Sequence, residues 1–199
     1  MPSILLASEN RGKLTEFQSL LVGLPLTLVT PADLGLHLDV AETGATYAEN
    51  AALKALAFMR ASGLATLADD SGLEVDTLNG RPGLHSHRFT SQANATDADR
   101  RAYLLSLLLG KPRPWLAHFH CSIAIATPTG QISYADGDCF GEITPQERGS
   151  HGFGYDPIFY LSEQQQTMAE LEEGAKNQIS HRGLAIKASI PILQSLFNI

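Results

Sequence analysis

Two segments early in the sequence contain residue types that could bind a phosphate and a metal ion. The first consists of six consecutive residues: Ser8, Glu9, Asn10, Arg11, Gly12 and Lys13. A helix that begins within it would point backbone N–H groups at an anion, and two cations would add attraction, so the segment suits phosphate. It is not a Walker P-loop, because Ala7 and Leu14 stand where that motif requires Gly and Ser or Thr. An ordinary strand-to-helix turn is the alternative.

The second segment is the acidic pair Asp69-Asp70, which Ser71 and Gly72 follow. Neighbouring residues of a strand point to opposite faces, so only one of the two carboxylates should enter a given cleft. The glycine permits a sharp turn, which would leave a carboxylate at the end of a strand. Glu42 could supply a second oxygen ligand, since Mg²⁺ binds one or two protein carboxylates besides phosphate and water oxygens. A simple turn of this sequence is the alternative.

Two later segments combine groups that suit a nucleoside. Glycines alternate with aromatic residues in Gly-Phe-Gly-Tyr-Asp-Pro, residues 152–157, although aromatic residues make up only 7% of the chain. This pattern indicates a backbone that approaches a flat ring closely. Cations cluster in Lys-Asn-Gln-Ile-Ser-His-Arg, residues 176–182, where the solvated start of a helix is the alternative.

The histidines raise the alternative of a transition-metal site. His118 and His120 are two residues apart, as are His85 and His87, so each pair would project from one face of a strand. No third ligand at a recognisable spacing accompanies either pair, and the sequence contains no HExxH or CxxC motif. We therefore interpret these histidines as surface or core residues.

The elements that must position these segments alternate between strands and helices. Apolar runs predict strands at residues 4–7, 26–29, 66–68, 116–126 and 132–140, with turn residues between the last two. Spacing and composition predict helices after residue 13, over 46–62 and 97–109, and from 180 onward. Pro191 should kink or restart the last helix. The predicted class is α/β, with a mixed central sheet flanked by helices.

Length, composition and charge limit the classes of protein. The 199 residues are 44% hydrophobic and 18% charged, which predicts a folded single domain over 1–199, with two lobes around an active-site cleft. The net charge is −7, whereas a nucleic-acid-binding protein needs a basic face, so nucleic acid is not expected as a partner. No stretch approaches the roughly 20 apolar residues of a membrane helix. Two cysteines and the absence of a basic leader favour a soluble, cytoplasmic protein.

Together these segments resemble the inosine triphosphate pyrophosphatase family, also called XTP/dITP diphosphatases. Motifs of that family occur in order over nearly the whole chain. They are Ser8-x-Asn10-x-x-Lys13, Glu42-Thr43-Gly44, Glu49-Asn50-Ala51-x-x-Lys54-Ala55, Asp69-Asp70-Ser71-Gly72-Leu73-x-Val75, Pro82-Gly83-x-x-Ser86-x-Arg88-Phe89, Gly152 to Phe159 and Lys176-Asn177-x-x-Ser180-His181-Arg182. One such motif would be weak support, but the ordered set is specific.

The resemblance implies a Mg²⁺-dependent, homodimeric enzyme that hydrolyses ITP, dITP and XTP to the monophosphate and pyrophosphate, and so removes deaminated purines from the nucleotide pool. It implies that Asp70 is the general base and binds Mg²⁺ together with Glu42, and that residues 8–13 bind the triphosphate. It implies a nucleoside pocket formed by Ser71, Phe153, Gly154, Tyr155, Asp156, Lys176, His181 and Arg182. The side chains of Glu49, Asn50 and Lys54 would line the catalytic side of the cleft.

Two other functions remain as alternatives at this point. A non-catalytic nucleotide sensor could use the same scaffold, but intact Lys13, Glu42 and Asp70 favour catalysis. A related pyrophosphatase could act on modified pyrimidines, which residues 176–182 disfavour.

Overall fold

The computed structural model describes all 199 residues, with seven strands, five helices and several short 3₁₀ segments. The strands are β1 Ser3–Leu6, β2 Thr27–Val29, β3 Thr66–Val75, β4 Leu116–Ala126, β5 Ile132–Ile143, β6 Phe159–Leu161 and β7 Gln166–Thr167. The helices are α1 Arg11–Leu21, α2 Tyr47–Ser62, α3 Asp97–Leu108, α4 Glu173–Ile179 and α5 His181–Phe197. No helix has both the length and the apolar character that crossing a membrane requires.

All seven strands form one mixed sheet in the order β2-β1-β3-β4-β5-β6-β7. Strand β1 pairs in parallel with both β2 and β3, and Leu5 lies opposite Val29 on one side and Thr66 on the other. Strands β5, β6 and β7 pair antiparallel. Strands β4 and β5 are joined by a tight turn in which the Thr127 N–H donates to the Gln131 carbonyl at 2.9 Å. The predicted α/β class, with a mixed sheet flanked by helices, is confirmed.

Local sequence signals explain where the longer helices begin and end. The Thr46 side chain caps α2 by accepting from the Glu49 N–H, and Gly63 ends that helix in the left-handed conformation, with φ of 71°. Helix α3 begins with a capping box, in which Thr96 and Asp99 each bond the other's backbone N–H. The predicted bounds of both helices agree with these caps to within a residue.

The chain forms two compact units, each with its own apolar core. The first unit comprises residues 1–70, 121–137 and 181–199, and the second comprises 71–120 and 138–180. In the first unit, β1 and β4 pack against α1 and α5 on one side and against α2 on the other, as the two clusters of buried residues show. In the second unit, Leu104 and Leu108 of α3 pack with Phe119 and Phe159 in a third cluster.

The structure corrects two sequence predictions. The sharp turn expected at Ser71-Gly72 is wrong, because β3 runs through both residues to Val75. The physical reason lies beyond the glycine: Leu73 and Val75 are fully buried, and an extended strand carries both into the core of the second unit. The sequence predicts a kink or a restart at Pro191; the restart does not occur, since Pro191 lies inside α5, which continues to Phe197, and the kink stays a prediction.

Candidate active site

Residues 7–10 connect β1 to α1, and α1 begins at Arg11, inside the segment 8–13 and earlier than the start predicted after residue 13. The Asn10 side chain caps α1 by accepting from the Lys13 N–H at 3.1 Å, and Ser8 Oγ accepts from the Asn10 N–H at 3.2 Å. Glu9 and Arg11 are exposed, and Glu9 lies 3.6 Å from the ring of exposed His37. Of the six residues, Lys13 points inward, because its ammonium contacts Asp69 of β3, described next.

The two aspartates of β3 have different cationic partners. Asp69 accepts from the ammonium of Lys13 at 2.9 Å and from Nε of Arg182 at 3.1 Å. Asp70 accepts from Asn50 Nδ2 at 3.1 Å and lies 3.5 Å from the Lys54 ammonium. This division follows from the alternation of side chains along a strand, so the prediction that the pair would diverge is confirmed.

Glu42 and Asp70 converge on one ammonium group. Lys54 Nζ lies 2.9 Å from Glu42 Oε1 and 3.5 Å from Asp70 Oδ1. Lys54 and Asn50 are four residues apart on α2, so both reach Asp70 from the same helix face. Asn50 also accepts from the Gly44 N–H at 2.8 Å, which ties the loop carrying Glu42 to that helix. Residues from three separate motifs therefore meet within the first unit.

Burial and charge shift the pKa values of these groups. Burial raises the pKa of Asp70 above its usual value and Glu42 raises it further, against the lowering effects of Lys54, Lys13 and Asn50. Burial raises the pKa of Asp69 too, but the charges of Lys13, Arg182 and Lys54 outweigh it and hold that pKa well below its usual range. Adjacent carboxylates thus have opposite shifts, because Asp69 has Arg182 in addition to the two lysines, whereas Asp70 has the like charge of Glu42 beside it.

The oxygen ligands around Lys54 fit Mg²⁺. A hard divalent cation binds carboxylate oxygens, and Glu42 and Asp70 offer such oxygens to one positive group. No group of three or more His, Cys, Asp or Glu side chains is arranged to bind a metal ion. A cation held by this pair would therefore need further oxygens from substrate or water, which is the usual arrangement for Mg²⁺.

Arg182 lies in a buried ion cluster that sequence reasoning missed. Its side chain is 2% exposed and donates to Glu16 at 2.6 Å as well as to Asp69. Burial lowers the pKa of Arg182, but the charges of Asp69 and Glu16 outweigh it and raise that pKa. Glu16 follows Lys13 by one helical turn, the only local signal that could have found it. His181, also buried, begins α5 beside this cluster in sequence.

The glycine- and aromatic-rich segment closes around a buried lysine in the second unit. The Lys176 ammonium donates to Asp156 Oδ2 at 2.8 Å and lies 4.9 Å from the centre of the Phe153 ring. The Phe153 N–H donates to the same carboxylate oxygen at 2.9 Å. A β-carbon on Gly152, whose φ is 74°, would overlap Asp156 and lie 3.0 Å from Lys176 Nζ. Glycine is therefore required here, because Asp156 and Lys176 approach its backbone closely. The predicted approach of this backbone to a flat ring stays a prediction.

The remaining predicted residues of the second unit lie in the same loop and in β3. Gly154 and Tyr155 continue the same loop, and the Tyr155 hydroxyl donates to the Ser86 carbonyl at 2.8 Å. Ser71 is partly buried in β3 and directly follows Asp70. Sequence reasoning missed Asp97 and Arg101 of α3, which bond both polar groups of the Gly154 backbone.

Comparisons with known proteins identify the family. The family model described as "Ham1 family" matches residues 4–192. The chain belongs to the Ham1 family. A dITP/XTP pyrophosphatase of Desulforamulus reducens is 46% identical over 195 residues, or 98% of this chain and 96% of the relative. A dITP/XTP pyrophosphatase of Geobacter sulfurreducens is 44% identical over 94% of each chain.

Solved Ham1 structures share the fold. A HAM1 protein from Coxiella burnetii superposes with a TM-score of 0.89 and 41% identity, covering 98% of this chain and 100% of that one. The Staphylococcus aureus Ham1 protein superposes with a TM-score of 0.84 and 38% identity, covering 98% of both chains. The resemblance inferred from the motifs is therefore confirmed at the level of the family.

Proposed function

We propose that this Ham1 chain hydrolyses the non-standard purine nucleotides ITP, dITP and XTP to the monophosphate and pyrophosphate with Mg²⁺, removing deaminated purines from the nucleotide pool. Its relatives at 44–46% identity are named dITP/XTP pyrophosphatases, so the enzyme class is nucleoside-triphosphate diphosphatase. Residues 1–199 act as one catalytic domain in this proposal.

One observation supports this proposal above the others. Glu42 and Asp70, which belong to separate motifs, direct their carboxylates at one ammonium, and Asp69 beside them binds Lys13 of the phosphate-binding segment. A triphosphate carries about four negative charges at neutral pH, so an acidic protein needs local cations to hold it. Carboxylates for a metal and a lysine for phosphate are the groups that this chemistry needs.

The proposed reaction is attack of water on the α-phosphorus. The water oxygen bonds to that phosphorus, the bond to the α–β bridging oxygen breaks, and pyrophosphate leaves with the bonding electron pair. Asp70 accepts the proton of the water, as a general base does. Mg²⁺, held by Glu42 and Asp70, would supply electrostatic stabilisation of the phosphate charge. The Lys54 ammonium donates to both carboxylates and holds their orientation.

The remaining motif residues are assigned to substrate recognition. Ser8, Glu9, Asn10, Arg11, Gly12 and Lys13 bind the triphosphate at the start of α1 in this proposal. The nucleoside is assigned to Ser71, Phe153, Gly154, Tyr155, Asp156, Lys176, His181 and Arg182. A 6-keto oxygen accepts hydrogen bonds from cationic donors, whereas the 6-amino group of adenine would leave those donors unpaired, which costs a few kcal/mol.

We also propose that the enzyme is a cytoplasmic homodimer. Phe140 and Leu116 of the second unit are 73% and 53% exposed, and the His118 ring stacks on Phe140 at 5.3 Å. A second copy would cover this apolar surface. Cys121 and Cys139 are free buried thiols, which suits a reducing compartment.

A substrate panel tests the proposed function. The protein is incubated with Mg²⁺ and, separately, XTP, dITP, ITP, GTP and ATP, and pyrophosphate and orthophosphate are quantified. We expect pyrophosphate from the first three and slow turnover of ATP, whose 6-amino group leaves the cationic donors unpaired. GTP also has a 6-keto oxygen, so its slow turnover is expected from the family resemblance and not from this contrast. Release of orthophosphate without pyrophosphate would mean attack at another phosphorus and would refute the proposal.

A further inference from the structure

Helix α3 carries two charged side chains that bond the backbone of the aromatic loop. Asp97 Oδ2 accepts from the Gly154 N–H at 2.8 Å, and an Arg101 terminal nitrogen donates to the Gly154 carbonyl at 2.8 Å. Both polar groups of this one residue are thus satisfied by side chains four positions apart on one helix face. Neither side chain belongs to a motif assigned to the substrate above.

The two side chains are themselves held in place. The Asp97 carboxylate is bonded by Arg100 one turn along α3, and Arg101 donates to Glu147 at 2.8 Å. The capping box of Thr96 and Asp99 fixes the first turn of the helix. Burial raises the pKa of Asp97, but its bonds to Arg100 and the Gly154 N–H outweigh that effect and lower it. Asp97 is therefore ionised at neutral pH, when charge-assisted hydrogen bonds are strongest.

We call the two bonds from Asp97 and Arg101 to the Gly154 backbone the loop clamp. Gly154 is adjacent in sequence to side chains that are assigned to the substrate. Gly154 follows Phe153, whose ring faces the Lys176 ammonium, and precedes Tyr155, whose hydroxyl is anchored on Ser86. Its φ of 61° is a left-handed conformation that a glycine leaves for other conformations at little cost. Without side-chain bonds to its peptide groups, Gly154 would therefore let the Phe153 ring change direction.

We propose that Asp97 and Arg101 are positioning residues that hold the aromatic loop in the conformation that binds the nucleoside. The inference rests on the proposed function, since it assumes that Phe153 and Lys176 contact the nucleoside. This proposal predicts that substitutions of Asp97 or Arg101 weaken the binding of ligands that carry a nucleoside. The same substitutions should not change the affinity for pyrophosphate.

The test compares two substitutions on the same helix turn. Asp97→Ala removes the acceptor for Gly154, whereas Asp99→Ala damages the same helix cap without touching the loop. Losing a charged hydrogen bond typically costs at least about tenfold in an equilibrium. We expect Asp97→Ala to raise the KM for XTP and the inhibition constant of the monophosphate product about tenfold. We expect kcat and the inhibition constant of pyrophosphate to change less than about threefold.

Further variants and amide exchange exclude a general loss of structure. Asp97→Asn, which keeps an acceptor oxygen, should recover most of the lost affinity. Arg101→Met should mimic Asp97→Ala, again with Asp99→Ala as the control. Hydrogen exchange over residues 152–156 should accelerate in Asp97→Ala and stay unchanged in Asp99→Ala. If Asp97→Ala does not fold, the KM for XTP and the two inhibition constants are measured in Arg101→Met instead, and the same changes are expected.

The possible failures are distinguishable. A wild-type protein that cleaves neither XTP, dITP nor ITP refutes the proposed function. An active wild type whose affinity for XTP is the same in Asp97→Ala and Asp99→Ala refutes the positioning role alone. Equal weakening of monophosphate and pyrophosphate inhibition would show that the loop clamp is not specific to the nucleoside, and would overturn the inference as well.

Discussion

Replacement of Arg182 by alanine should strongly destabilise the first unit. The guanidinium is the shared partner of Asp69 and Glu16, and the side chains of these three residues are 2%, 1% and 7% exposed. Alanine leaves both carboxylates buried beside an empty volume. Lys13 still neutralises Asp69 at 2.9 Å after the substitution.

The size of the effect follows from this burial. Removing one partner of a buried ion pair typically costs about 3–5 kcal/mol, because the remaining charge is neither solvated nor paired. For a chain of 150–250 residues, each kcal/mol shifts the melting temperature by about 2–4 °C. We therefore expect a melting temperature lowered by roughly 6–20 °C.

Urea unfolding followed by circular dichroism measures the free energy of unfolding. Arg11→Ala is the matched control, because Arg11 is exposed in the same unit and surface substitutions usually change stability by less than about 0.5 kcal/mol. Adding Glu16→Gln to Arg182→Ala should recover part of the loss, since it removes one of the two buried negative charges that Arg182 bonds. A loss below about 1 kcal/mol in Arg182→Ala, or no recovery in the double variant, would refute this account of the cluster.

Three further predictions concern other parts of the molecule. Asp70→Asn should lower pyrophosphate release from XTP at least about 10²-fold while leaving the melting temperature nearly unchanged, because it removes the charge needed for proton acceptance and metal binding. Gly137→Ala should cost at least about 2 kcal/mol in urea unfolding, since a β-carbon there would lie 2.5 Å from the Ala185 nitrogen, whereas Gly174→Ala, in open space, should be neutral or stabilising. Burial raises the pKa of Cys139 to about 12 and raises that of Cys121 as well, so mass spectrometry should find both thiols alkylated by iodoacetamide at pH 8 about 10³-fold more slowly than free cysteine.

Features that depend on neighbouring residues were predictable from the sequence. The ends of helix α2 could be predicted because the threonine that caps its start and the glycine that ends it each bond backbone groups within one helical turn. The divergence of Asp69 from Asp70 followed from strand alternation alone. Family membership was predictable because each motif is contiguous. The extension of β3 through Gly72 was not, because burial of Leu73 and Val75 in a distant core overrides the turn preference of glycine.

The sequence by itself determined the family, the α/β class and the longer helices, whereas the tertiary structure decided the full extent of β3 and which charged groups pair. Arg182 bonds Glu16 across 166 residues of chain, and Asp97 bonds Gly154 across 57. No local pattern encodes such pairs, because many carboxylates and cations of the chain could pair equally well in an unfolded polymer. The choice is made when apolar side chains of distant elements are buried together, since that burial brings particular polar groups within bonding distance and removes the water that would otherwise solvate them.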